Sequence, residues 1–288
     1  MTRWRRAVVV LALCWASVAH ASEQRLSVAG LAVTAWLPPA AGRTRLPVIL
    51  FSHGFHGCAP QSRFLTEALA AHGYLVFAPD HRDATCHGGR ASWFDRSEWR
   101  FVAPQSWTEA SFHDRADDLR RLLAALREDS RFGPWGDWSR VGLVGHSLGG
   151  YSVLGLAGAW PGWTLPGIKA VLALSPYTQP FVLRHTLAGL TAPVMYQGGT
   201  RDLGITPTLH KSLGSYDQSP PPKYYVEFDG AGHFAWTDIG LAPRDGILAY
   251  SVAFLDHYVA GRGGGAVLTR ERPGVALLRY DSELGRRD

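Results

Sequence analysis

The chain has 288 residues, 46% hydrophobic and 18% charged, a balance ordinary for a globular protein and enough length for one large α/β domain. The formal charge of +5 gives no argument for a nucleic-acid partner: three of the 29 Lys+Arg and none of the 24 Asp+Glu fall in residues 1–21, so the rest carries only +2. No Lys/Arg cluster with interleaved aromatics occurs beyond residue 21.

Arg3, Arg5 and Arg6 precede an apolar run from Ala7 to Val18, and Ala19-His20-Ala21 has the small-x-small pattern of a cleavage site. Residues 1–21 therefore read as a secretory signal peptide, because the apolar run is too short to span a bilayer. The expected mature chain is secreted or periplasmic, with no integral membrane segment. Cleavage would remove Cys14 and leave Cys58 and Cys86, a pair that suggests one disulfide in an exported protein.

Gln24 to Leu37 alternates apolar and polar residues, as an edge hairpin does. Leu46 to Phe51 and Tyr74 to Ala78 are continuous apolar runs, the pattern of buried parallel strands. Between them Arg63 to His72 has helical spacing and stops at Gly73. Residues 84–107 form an irregular excursion with Trp93, Phe94, Trp99, Phe101 and Trp107. The stretch 90–107 reads as a satellite core under a long loop, with a lid or an apolar substrate surface as the rival.

Ser106-Trp107-Thr108-Glu109 has a capping-box pattern, so a helix is expected to follow with Phe112, Ala116, Leu119, Leu123 and Leu126 on one face. Val141–Val144, Ala170–Leu174, Pro193–Tyr196 and Tyr224–Phe228 read as further strands, the last being the final one. Leu148–Ala159 and Asp245–Tyr258 read as helices. Strands alternating with helices imply a doubly wound, mainly parallel sheet covered on both faces, in a single domain over residues 22–262. Residues 263–288, past the Gly261–Gly265 run, read as a loosely packed C-terminal tail.

Gly145-His146-Ser147-Leu148-Gly149 sits directly behind the Val141–Val144 strand and ahead of a helix. Small residues around a serine at such a turn lift its hydroxyl clear of the sheet. Two later strands end in loops with the partners a nucleophile needs, a carboxylate at Asp202 and an imidazole at His233. The order Ser, Asp, His is that of α/β-hydrolases. Asp217 and Asp229 remain alternative acids. An oxyanion formed at Ser147 needs two backbone N–H donors. Leu148, at a helix start, and Phe55, in the loop after the Leu46–Phe51 strand, are the expected pair. Phe55 and Tyr177 are expected to line the substrate pocket.

The runs Phe51-Ser52-His53-Gly54-Phe55, Ala71-His72-Gly73-Tyr74 and Ala78-Pro79-Asp80-His81-Arg82-Asp83, with the Gly-His-Ser-Leu-Gly-Gly elbow, carry a resemblance. Over about residues 44–258 the chain resembles secreted α/β-hydrolases, nearest the platelet-activating-factor acetylhydrolases, cutinase-like polyester hydrolases and predicted dienelactone hydrolases. Acetylhydrolases of the plasma type look to carry their acid after the strand that follows the nucleophile helix, where this chain has Leu174-Ser175-Pro176-Tyr177. Asp202 is similar to the polyester-hydrolase acid. In that fold the loops holding Cys58 and Cys86 emerge side by side, so a Cys58–Cys86 disulfide is expected.

The function expected is a secreted serine esterase with the triad Ser147, His233 and Asp202. It needs no cofactor and no metal, and acts on a small-molecule or lipid-like ester. Lactone or amide hydrolysis and acyl transfer are alternatives on the same fold. A non-catalytic binding module is the alternative of another class. A metal at His53, His56, His81 and His87 beside the two cysteines is the third.

Overall fold

A computed structural model describes residues 21–39, 41–42, 44–86, 101–240 and 244–288. Ten strands form one sheet: β1 (Ser22–Val28), β2 (Leu31–Leu37), β3 (Leu46–Ser52), β4 (Leu75–Pro79), β5 (Gly136–His146), β6 (Ile168–Leu174), β7 (Val194–Gly199), β8 (Lys223–Phe228), β9 (Val275–Ser282) and β10 (Gly285–Arg287). Their spatial order is β1-β2-β4-β3-β5-β6-β7-β8-β9-β10. The run from β4 through β8 is parallel, and antiparallel strands flank it on both edges.

Successive side chains of a strand face opposite ways, so a sheet covered on both faces needs apolar residues at every position. In β3, Val48 and Leu50 enter one core while Ile49 and Phe51 enter the other. The helices His113–Glu128 and Leu148–Leu154 cover the first face; Arg63–Ala71 and Arg244–Leu255 cover the second. The β1–β2 hairpin turns at Ala29-Gly30, both at positive φ, as a two-residue primed turn requires. This is the expected doubly wound α/β-hydrolase fold in a single domain.

Three expectations need correction. Residues 263–288 are not a loose tail: β9 pairs antiparallel with β8, Val226 opposite Leu278, and Leu278 is buried. Most side chains of β9 are only half-buried, so its composition does not look like a strand's. The helix after residue 107 starts at His113, and Ser106-Trp107-Thr108-Glu109 does not cap it. Phe112 precedes that helix in a left-handed conformation, which turns its ring into an aromatic cluster with Trp107. The helix after Ser147 is regular only to Leu154 and widens into a π-turn over Gly155–Ala159. The expected signal peptide lies outside the described residues except for Ala21, as do Trp93, Phe94, Trp99 and His87.

Candidate active site

Parallel strands open their carboxyl ends on one rim, and the loops leaving them converge there. Ser147 follows β5, Asp202 follows β7 and His233 follows β8. Ser147 sits at φ 54°, ψ −117°, a conformation that non-glycine residues rarely adopt. Its N–H donates to Leu174 O (3.0 Å), and its carbonyl accepts from Tyr151 (3.2 Å) and Tyr177 (3.1 Å). The flanking glycines are obligatory for space. A Cβ on Gly145 would lie 2.3 Å from Gly149 O, and one on Gly149 would lie 2.0 Å from Ser52 O.

The three side chains meet. Ser147 Oγ–H donates to His233 Nε2 at 2.9 Å, and His233 Nδ1–H donates to Asp202 Oδ2 at 3.0 Å. Asp202 is buried, while His233 keeps 28% of its side chain exposed toward the site. Asp217 pairs instead with Arg279, and Asp229 accepts from Thr200, so neither alternative acid faces His233.

Among the described residues, the N–H groups of Phe55 and Leu148 have no hydrogen-bond partner. Leu148 opens its helix, where N–H groups lack intrahelical acceptors. Phe55 lies beside Ser147, since a Cβ on neighbouring Gly54 would come 3.4 Å from Ser147 Cβ. The Phe55 loop is fixed from behind by groups that the sequence did not reveal. Buried Arg115 donates to His53 O (2.7 Å) and Gly54 O (3.2 Å), and grips both Asp83 oxygens (3.0 and 2.7 Å). Asp83 also accepts from His56 N–H at 3.1 Å. Burial alone would raise the Asp83 carboxyl, but the Arg115 guanidinium overrides it and holds the group well below the usual carboxylate range.

A second chain of bonds crosses the front. Gln61 accepts from Gly54 N–H (3.1 Å) and donates to His146 Nδ1 (3.0 Å); His146 Nε2–H donates to His233 O (2.9 Å). Burial, then the neighbouring His233 ring, push His146 down to about 3. The geometry agrees, because a proton on Nδ1 would face the Gln61 amide N–H. His53 is likewise used up: Nδ1–H donates to Gly54 O (2.7 Å) and Nε2 accepts from His81 N–H (3.0 Å). His81 bonds Ser52 Oγ (2.9 Å) and Asp118 (3.0 Å). Burial, then the Arg115 charge, lower both His53 and His81.

Three buried histidines kept neutral set a pH dependence. Each binds its proton less readily folded than unfolded, where the ordinary value is about 6.5. The unfolded chain therefore takes up more protons below that pH, and the stability they contribute is present above it and lost as pH falls toward about 3 for His146. The urea midpoint is expected to drop steadily from pH 6.5 to pH 4.5, with each histidine adding a slope of up to roughly 1.4 kcal/mol per pH unit. A midpoint that stays flat over that interval would contradict the neutral assignment.

Cys58 and Cys86 are joined by a disulfide, Cα–Cα 5.9 Å, that staples the loops after β3 and β4. In the chain-entropy account a loop of this length contributes about 3–4 kcal/mol. The bridge lines a cavity of about 810 Å³ that opens over Ser147. Its apolar lining includes Phe55, Phe101, Tyr177, Ile205, Phe234 and Ile239. Phe101 packs edge-on against Phe55 (5.3 Å) and Tyr177 (4.9 Å), and Tyr177 O–H donates to Phe101 O (2.9 Å). Trp107, expected in the excursion, is buried under this cluster.

The family model Hydrolase_4, described as "Serine aminopeptidase, S33", matches residues 44–202. The chain belongs to this family. Among curated relatives of this S33 family member, Cutinase est2 of Thermobifida alba is 28% identical over 212 residues, 73% of this chain and 59% of that protein. Cutinase 1 of Thermobifida cellulosilytica is 27% identical over 247 residues, 84% of this chain and 79% of its own length. The cutinase of Thermobifida fusca (strain YX) is 27% identical over 247 residues, 84% of this chain and 69% of its own. The chain thus spans less than two thirds of the first of these relatives.

Proposed function

We propose that this protein is an exported serine esterase that cleaves carboxylic esters through an acyl-enzyme. The observation that carries the reading is the continuous Ser147–His233–Asp202 contact at the floor of an apolar cavity. His233 Nε2 takes the Ser147 proton as Oγ attacks the ester carbonyl. The N–H groups of Phe55 and Leu148 receive the developing oxyanion, helped by the positive end of the helix at Leu148. The imidazolium then protonates the leaving alkoxide, and the alcohol departs. Water, deprotonated by His233, attacks the acyl-Ser147 ester; the acid leaves and the serine regains its proton.

The similarity to cutinases favours an ester over an amide. Leu203, Phe234 and Ile239 are 79%, 56% and 80% exposed, and the last two line the cavity, which suits an apolar or lipid-like ester. The disulfide fits an oxidising compartment, and no helix among the described residues is long and apolar enough to cross a membrane. Amide hydrolysis is the second reading, favoured by the family description.

The test is turnover of p-nitrophenyl esters of graded acyl length beside the matching p-nitroanilides, with fluorophosphonate labelling mapped by peptide mass. Ester turnover and a label on Ser147 are expected. A chain that neither labels nor hydrolyses any ester above background would sink the proposal, and faster anilide cleavage would select the second reading.

A further inference from the structure

We propose that Ser175 is a positioning residue for the same site, clamping the Asp202 carboxylate and sharing the His233 Nδ1 proton. The inference rests on the hydrolytic reading above and deepens it. Ser175 follows β6, a strand that supplies none of Ser147, Asp202 or His233. Its Oγ lies 2.8 Å from His233 Nδ1, as near as Asp202 Oδ2 at 3.0 Å. The same hydroxyl donates to Asp202 Oδ2. An ionised carboxylate has no proton to give, so Ser175 must be the donor there, which leaves its lone pairs facing Nδ1–H. The imidazole N–H is therefore forked between two oxygens, and those oxygens are bonded to each other.

Ser175 is also what holds the acid. Among the described residues, the Asp202 carboxylate accepts hydrogen bonds from Ser175 and His233 alone. It is 4% exposed, so water has little access to replace a missing donor. A buried carboxylate that loses one of two donors becomes costlier and freer to turn. The backbone at Ser175 is set for this task. Its φ is 41°, a region that favours glycine, yet it carries a fully buried side chain. Its N–H donates to Gln197 O of β7 at 2.8 Å, and Pro176 behind it packs close against Gly150. The result is a hydroxyl from a third loop that locks the acid loop to the base loop. Among the described residues, Asp202 and His146 are the titratable groups against His233; His146 meets it through the His233 carbonyl (2.9 Å) and ring against ring, with centroids 5.0 Å apart.

The test uses Ser175→Ala and Ser175→Gly in the full chain, the second because glycine suits the positive φ if alanine folds poorly. Both are expected to keep the fluorophosphonate label and to lower kcat for a p-nitrophenyl ester by about 10- to 100-fold, with KM changed less than about twofold. The acid limb of the kcat profile is expected to move to higher pH, since Asp202 no longer shares its charge with a hydroxyl. A purely structural serine would lower the melting temperature and leave that limb in place. Parental kcat and an unmoved acid limb in a labelled, folded variant would overturn the role of Ser175 alone. A wild-type chain without label or turnover would overturn the hydrolytic reading and this role with it.

Discussion

Ser147→Ala and His233→Ala are each expected to lower kcat toward a short-chain p-nitrophenyl ester by about 10⁴- to 10⁶-fold, with little effect on the melting temperature. The reason is mutual dependence. Ser147 Oγ and His233 Nε2 are 2.9 Å apart, and neither moves a proton usefully without the other. The double variant should thus be no worse than either single one. Asp202→Asn should cost less, about 10²- to 10⁴-fold. It keeps the shape of the site but offers Nδ1 an amide that can settle the imidazole in the wrong tautomer. Residual activity in these variants would report the proposed oxyanion donors and the cavity. Single and double variants assayed together decide the matter: multiplicative losses would mean that the residues do not act as one unit.

Arg115→Met is expected to destabilise the protein by about 3–5 kcal/mol. The guanidinium is fully buried, and its loss leaves the Asp83 carboxylate facing the Phe55 loop without a counter-charge. Arg115→Lys should fail almost as badly, because one ammonium cannot span His53 O, Gly54 O and both Asp83 oxygens. Arg115→Met with Asp83→Asn should recover part of the loss, since the orphaned charge is gone. Where the variants fold, kcat should fall about 10²- to 10³-fold, the effect of losing one oxyanion donor. Chemical denaturation of the three variants checks the order. An Arg115→Met protein as stable as its parent would show that the ion pair contributes nothing net.

Much of this was readable in the sequence because the relevant signals are local. The elbow needs Gly145 and Gly149 for want of space, and that need is written directly in residue types. The apolar runs of β3 and β5 follow from burial on both faces. Ser175 was hidden because a serine at a strand end looks like any turn residue, and its partners lie 27 and 58 positions away. Arg115 was legible in principle. It sits one turn before Leu119 on the buried stripe of its helix, and a cation there demands a buried partner. Gln61 and His146 gave no such signal, because their bonds exist only once three loops have closed together. β9 was missed since a half-exposed border strand needs no apolar alternation.

The position of β9 has a practical corollary. It zips along the outer side of β8, whose far end delivers His233. Gene trimming that stops near residue 263 would bare the hydrogen-bonding edge of β8 to neighbouring molecules and invite clumping. A purification handle is better placed downstream of β10 than inside this segment, which leaves that zipper closed.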